Sequence, residues 1–100
     1  MRLVVAIVRP AHVEGVRQAL AAIQVTRLTI CDVHGYGPAA GGEVRQEALL
    51  EIAVNDDFVT PTLATLAATL GDGFDATRMF VLPIDETVQV DRAVRGPEAV

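Results

Sequence analysis

Residues 3–36 read LVVAIVRPAHVEGVRQALAAIQVTRLTICDVHGY, and the hydrophobic period changes twice within them. Leu3 to Val8 is apolar without a break and rich in β-branched residues, the pattern of a strand buried on both faces. Pro10 follows where a helix loses nothing by a missing N–H. Val13, Val16, Leu20 and Ile23 recur at three- and four-residue steps, which predicts an amphipathic helix over 10–23. Thr26 to Tyr36 favours extended backbone and reads as a second strand. The stretch is strand, helix, strand.

The same order recurs downstream. Gly35 to Gly42 carries turn residues and no hydrophobic period, so a loop is expected there. Ala48–Val54 reads as a third strand. Asn55-Asp56-Asp57 supplies capping residues for a second helix, and Thr60-Pro61 offers a second start signal. Phe58 or Val59, then Leu63, Leu66 and Leu70, form its apolar face, and Gly71-Asp72-Gly73 ends it. Arg78–Ile84 reads as a fourth strand, Thr87–Val90 as a short edge strand, and Pro97 lies in an irregular tail.

The pattern predicts an α+β, ferredoxin-like βαββαβ sandwich with an antiparallel sheet and both helices on one face. One domain over 1–100 is expected: a first βαβ half at 1–36, a loop at 37–44, a second half at 45–84 and a tail at 85–100. No helix remains for the other sheet face, although the strands are apolar there too. Self-association is the expected cover.

Composition narrows the function. A 100-residue chain buries only ~60–65% of its unfolded surface, so a monomer would be marginal. Hydrophobic residues make up 51% and charged residues 21%, which fits a folded core. No apolar run reaches the ~20 residues that cross a bilayer, and Arg9 cuts the opening run short of a secretory signal. The single cysteine, Cys31, forbids an internal disulfide. A cytoplasmic protein without direct membrane insertion is expected. The net charge of −5 argues against nucleic-acid binding. All eight basic residues are arginine, which excludes a Schiff-base lysine and a P-loop lysine.

Catalytic and metal chemistry finds little support. His12, His34 and Cys31 are the soft-metal candidates, but Cys31 and His34 are three apart on a strand and point to opposite faces. No Ser-His-Asp signature is present. No catalytic residue, metal ligand or required cofactor is assigned.

The chain resembles the PII nitrogen-regulatory signalling superfamily. The resemblance runs through residues 3–10 (LVVAIVRP), Leu28-Thr29, Val33-His34-Gly35-Tyr36-Gly37, Leu50–Val54 with Asp56-Asp57, Phe80–Ile84, Arg95-Gly96 and Glu98–Val100. It implies a homotrimer with adenine nucleotides (ADP, AMP or ATP) in clefts between subunits. The loop after strand two would contact a target protein, a membrane transporter or an enzyme. Carried over, the nucleotide-binding positions are Ile7, Thr29, Gly35, Tyr36, Gly37, Gly71, Asp72, Gly73 and Arg78.

Several positions depart from the family pattern. Pro38-Ala39-Ala40 stands where typical members have Arg-Gln-Lys, and the loop is short. Tyr36 is the sole tyrosine, so the uridylylated loop tyrosine is missing. Glu47 falls near the lysine that enters strand three, so magnesium-dependent 2-oxoglutarate binding is expected to be lost. Gly71-Asp72-Gly73 matches the family's phosphate loop in one register. In the other, Gly71 only starts that loop and Arg78 replaces its lysine; a plain helix-ending turn also fits. The two arginines that follow strand four align with Gln89 and Asp91, leaving Arg9, Arg78, Arg92 and Arg95 as the available cations. Such a cleft suits a mono- or diphosphate better than a triphosphate. Three alternatives remain: a bicarbonate-linked sensor, a small ferredoxin-like enzyme using His34, and a metal-binding trimer.

Overall fold

The computed structural model describes residues 1–37, 41–71 and 78–100. In the first strand, β1 (Arg2–Val8), burial alternates. Val4, Ala6 and Val8 are at most 1% exposed, whereas Leu3, Val5 and Ile7 are half-buried. The unbroken apolar run predicts cover on both faces; the protomer covers one.

A single 3₁₀ turn at Pro10–His12 leads into α1 (Val13–Ala22), which turns Val16 and Leu20 inward. The helix closes in a Schellman turn: the Gln24 N–H donates to the Ala21 carbonyl and the Val25 N–H to the Leu20 carbonyl, both at 2.9 Å. The closing position needs a left-handed backbone, and Gln24 adopts it at φ 66° without being glycine. Val25 is thereby buried, and the chain enters β2 (Thr29–Gly35) three residues later than composition predicts. β3 (Arg45–Val54) begins three residues earlier than predicted, because Arg45, Gln46 and Glu47 pair with Gly35, His34 and Val33.

The capping expectation for the second helix fails. A 3₁₀ turn over Asp56–Phe58 precedes α2 (Val59–Leu70), and neither start carries a side-chain cap. Asp56 instead accepts a hydrogen bond from the Met1 ammonium at 2.7 Å, tying the start of β1 to the end of β3. Thr62, Leu66 and Leu70 are the buried residues of α2. Gly71, at φ 54°, ends the helix. β4 (Met79–Pro83) then pairs with β1, Ala6 opposite Met79 and Arg2 opposite Pro83.

The sheet order is β2-β3-β1-β4, and every neighbouring pair is antiparallel. This is the ferredoxin-like α+β arrangement: β3 lies between β1 and β2, and β1 between β3 and β4. Each βαβ half therefore supplies the central strand of the other, so neither half has a complete sheet alone. Val4, Ala6, Leu50, Ile52, Leu20 and Leu66 are all fully buried between sheet and helices. Each large member contributes ~1.5–3 kcal/mol through burial. Residues 87–90 do not extend this sheet. β5 (Val88–Gln89) and β6 (Val94–Arg95) form a separate hairpin, and Gly96–Ala99 makes a closing 3₁₀ turn.

Candidate functional site

Cross-strand register places the functional candidates on the sheet face without helices. Residues directly opposite in an antiparallel pair share a face. One row of that face runs Thr29, Glu51, Val5, Phe80; the next runs Cys31, Leu49, Ile7; a third runs Ala53, Leu3, Leu82. Phe80 is 49% and Leu82 45% exposed. The face is thus an apolar surface with a carboxylate, Glu51, near its middle.

Ile7 and Arg78 come to one end of this face, since Met79 opposite Ala6 sets Arg78 beside the Ile7 end of β1. Gly35 ends β2 at the same end, with the exposed Tyr36 and then Gly37 beyond it. Gly35 lies against Glu47: a Cβ at Gly35 would stand 2.9 Å from the Glu47 Cγ. Glu47 in turn accepts a hydrogen bond from Arg45 at 3.2 Å. Gly71 marks the end of α2. Asp72 and Gly73 lie outside the described residues, as do Pro38, Ala39 and Ala40.

Thr29 begins β2 and Gly35 ends it, six residues or about 20 Å apart, while Ile7 on β1 and Arg78 beside the start of β4 lie towards the Gly35 end. The residues singled out in the sequence therefore divide into two groups within one protomer. Of the remaining cations, Arg95 is taken up by Glu86 at 2.8 Å. Cys31 is half-buried on the open face, and His34 is exposed on the other. Among the described residues no group of three His, Cys, Asp or Glu side chains could hold a metal ion.

Two cavities flank the Thr26-Arg27 segment. One, about 410 Å³, is lined by Thr29, Glu51, Leu3 and Leu28. The other, about 260 Å³, reaches under the hairpin to Gln89 and Arg92. Thr26, Arg27, Ala53 and Val100 line both. Sequence reasoning missed Glu51 and Arg27. Glu51 was detectable as the one acid in ALLEIAV at a position alternating with the buried residues; Arg27 carried no local signal. The electrostatic perturbations lie elsewhere: hydrogen bonding from the Met1 ammonium holds the Asp56 carboxyl below its ordinary value, and Arg17 does the same for Glu14.

This sheet order and helix placement have a counterpart in a solved protein. Arabidopsis thaliana PII bound to citrate superposes with a TM-score of 0.85 at 29% identity, covering 98% of this chain and 87% of that one. The profile of the family described as nitrogen regulatory protein P-II matches residues 1–94. The chain belongs to the P-II family. Among its PII relatives, the nitrogen regulatory protein GlnK1 of Methanosarcina mazei is 32% identical over all of this chain and 97% of its own length. The P-II protein of Rhizobium etli is 31% identical, with both chains covered completely. PII proteins are regulatory signal transducers rather than enzymes, and they act as trimers on small effectors and target proteins. In this PII chain no helix among the described residues is long and apolar enough to cross a membrane.

Proposed function

We propose that the protein is a cytoplasmic, homotrimeric PII signal transducer that binds an adenine nucleotide, AMP or ADP in preference to ATP, in clefts between protomers and thereby regulates a transporter or enzyme. The carrying observation is the division of the site. Ile7, Arg78 and the Gly35 end of β2, with Tyr36 and Gly37 beyond it, lie at one end of the open face, and Thr29, opposite Glu51, begins β2 six residues away. Packing copies through that apolar face brings the first group of one copy to the second group of its neighbour.

The chemistry of the two groups is complementary. Glu51 is an acceptor for the exocyclic amine of adenine, and the Thr29 hydroxyl both donates and accepts. Glycine backbone N–H groups at the other end suit phosphate oxygens. Arg78 and Arg27 add two cations, a set better matched to one or two phosphates than to three. The Glu47 carboxylate, half-buried beside Gly35, disfavours a dicarboxylate at that end. The citrate-bound Arabidopsis structure supports a small-anion effector in this fold.

Calorimetric titration with AMP, ADP, ATP and bicarbonate tests the reading. ADP or AMP is expected to bind, and Glu51→Gln or Thr29→Ala to weaken it about tenfold. Silence towards every nucleotide from a folded trimer would overturn it, and binding of bicarbonate alone would replace it with an inorganic-carbon sensor.

A further inference from the structure

Residues 84–100 stand apart from the rest of the chain. Their two strands pair with each other and not with the four-stranded sheet. Among the described residues one backbone hydrogen bond crosses to the body, from the Ile84 N–H to the Met1 carbonyl at 3.1 Å. Two side-chain bonds add to it. The Thr87 hydroxyl donates to the Met1 thioether, a weak acceptor, at 3.2 Å, and Asn55 Nδ2 donates to the Pro97 carbonyl at 3.2 Å. Ala99 is the one buried residue of the segment, and it lies outside the core cluster beneath the helices.

Holding the segment down also has a cost. Asn55 Oδ1 and Gln89 Oε1 are buried with no hydrogen-bond partner among the described residues. Gln89 belongs to the segment and Asn55 is held against it through Pro97, so the closed form keeps both oxygens from water. A buried acceptor left unmatched loses more than an ordinary hydrogen bond returns. With few bonds across and two dry acceptors, the closed and open forms lie close in free energy. The segment also walls the ligand site. Ala99 and Val100 line the larger cavity with Thr29 and Glu51, and Gln89, Arg92, Glu98 and Val100 line the smaller one.

We propose that residues 85–100 are a lid over the nucleotide half-site, closed in this structure, hinged at Ile84 just after β4 and latched by the Asn55–Pro97 hydrogen bond. Opening takes the tail away from Thr29 and Glu51, so ligand entry and exit both wait on it. What passes beneath the lid rests on the nucleotide proposal; the opening itself does not.

The test is thiol labelling of Ala99→Cys in a Cys31→Ser background, on the assembled protein without ligand. Labelling through lid opening is independent of urea at low concentration, whereas labelling through global unfolding rises with it. Val16→Cys, in the core, supplies the global reference. Position 99 is expected to label about tenfold or more faster than position 16, without urea dependence. Asn55→Asp sets a carboxylate oxygen against the Pro97 carbonyl and should speed this labelling about tenfold; Gln89→Leu removes a dry acceptor and should slow it about tenfold. In stopped flow, Asn55→Asp should speed ADP association and dissociation alike. The lid is overturned if position 99 labels only as fast as position 16, if both substitutions leave its rate unchanged, or if Asn55→Asp speeds ADP dissociation but not association. Urea-independent opening in a protein deaf to ADP would refute the nucleotide proposal and leave the lid standing.

Discussion

Phe80 projects from the open face of β4 opposite Val5, 49% exposed in the protomer, and is absent from the buried cluster beneath the helices. It is therefore the residue at which assembly separates most cleanly from folding. An aromatic side chain carries ~200 Å² of surface, so ~100 Å² remains for a partner to cover. At ~25 cal/mol/Å² that is worth ~2.5 kcal/mol per protomer, or ~7.5 kcal/mol per trimer. Phe80→Ala thus weakens a trimer by about five powers of ten in its dissociation constant. Half-assembly scales as the square root of that constant, so the concentration needed rises ~300-fold. Phe80→Asp goes further, because its charge would have to be desolvated at several kcal/mol per ion. The assay is light scattering after size exclusion across a concentration series, with circular dichroism as the control for folding. Wild type should run as a trimer, Phe80→Ala should dissociate on dilution, and Phe80→Asp should be a folded monomer. A monomeric wild type, or a trimer indifferent to Phe80→Asp, would refute the reasoning.

Three other perturbations probe the protomer. Thr62 is fully buried on α2 and its Oγ1 has no hydrogen-bond partner among the described residues, so Thr62→Val should stabilise by ~1–2 kcal/mol in urea denaturation; a loss of stability would show that the hydroxyl is satisfied. Gly35→Ala drives a Cβ to 2.9 Å from Glu47 and should lower Tm by several degrees, with Glu47→Ala restoring it; failure of the second change to rescue would place the strain elsewhere. The depressed Asp56 carboxyl stabilises above its unfolded value, near pH 4, and that stability is lost as pH falls through the lower folded value. Asp56→Asn should remove this part of the acid unfolding profile, and identical wild-type and variant profiles would show that the Met1 contact contributes nothing.

Periodicity made the element order readable. Steps of three and four placed Val16, Leu20, Leu66 and Leu70 on the helices, and apolar runs placed the central strands. Element ends were less readable. Arg45-Gln46-Glu47 has no strand composition and joins β3 because β2 offers a ladder opposite it, whereas Thr26–Leu28 has strand composition and no ladder. Asp56 resembles a cap in sequence, but Met1 lies close enough to take its carboxylate.

The candidate site divides along the same line. Gly35, Tyr36, Gly37 and Gly71 were visible because glycine and turn chemistry are local properties of the chain. Glu51 beside Thr29 and the two cavities around Arg27 are products of register and of chain segments far apart in sequence. Local order and hydrophobic period follow from neighbouring residues, so the amino-acid string alone settles them. Which side chains face one another across a strand pair, and which polar atoms are left without partners, depends on contacts between segments far apart in sequence, such as Arg2 of β1 and Pro83 of β4, and only the folded chain decides them.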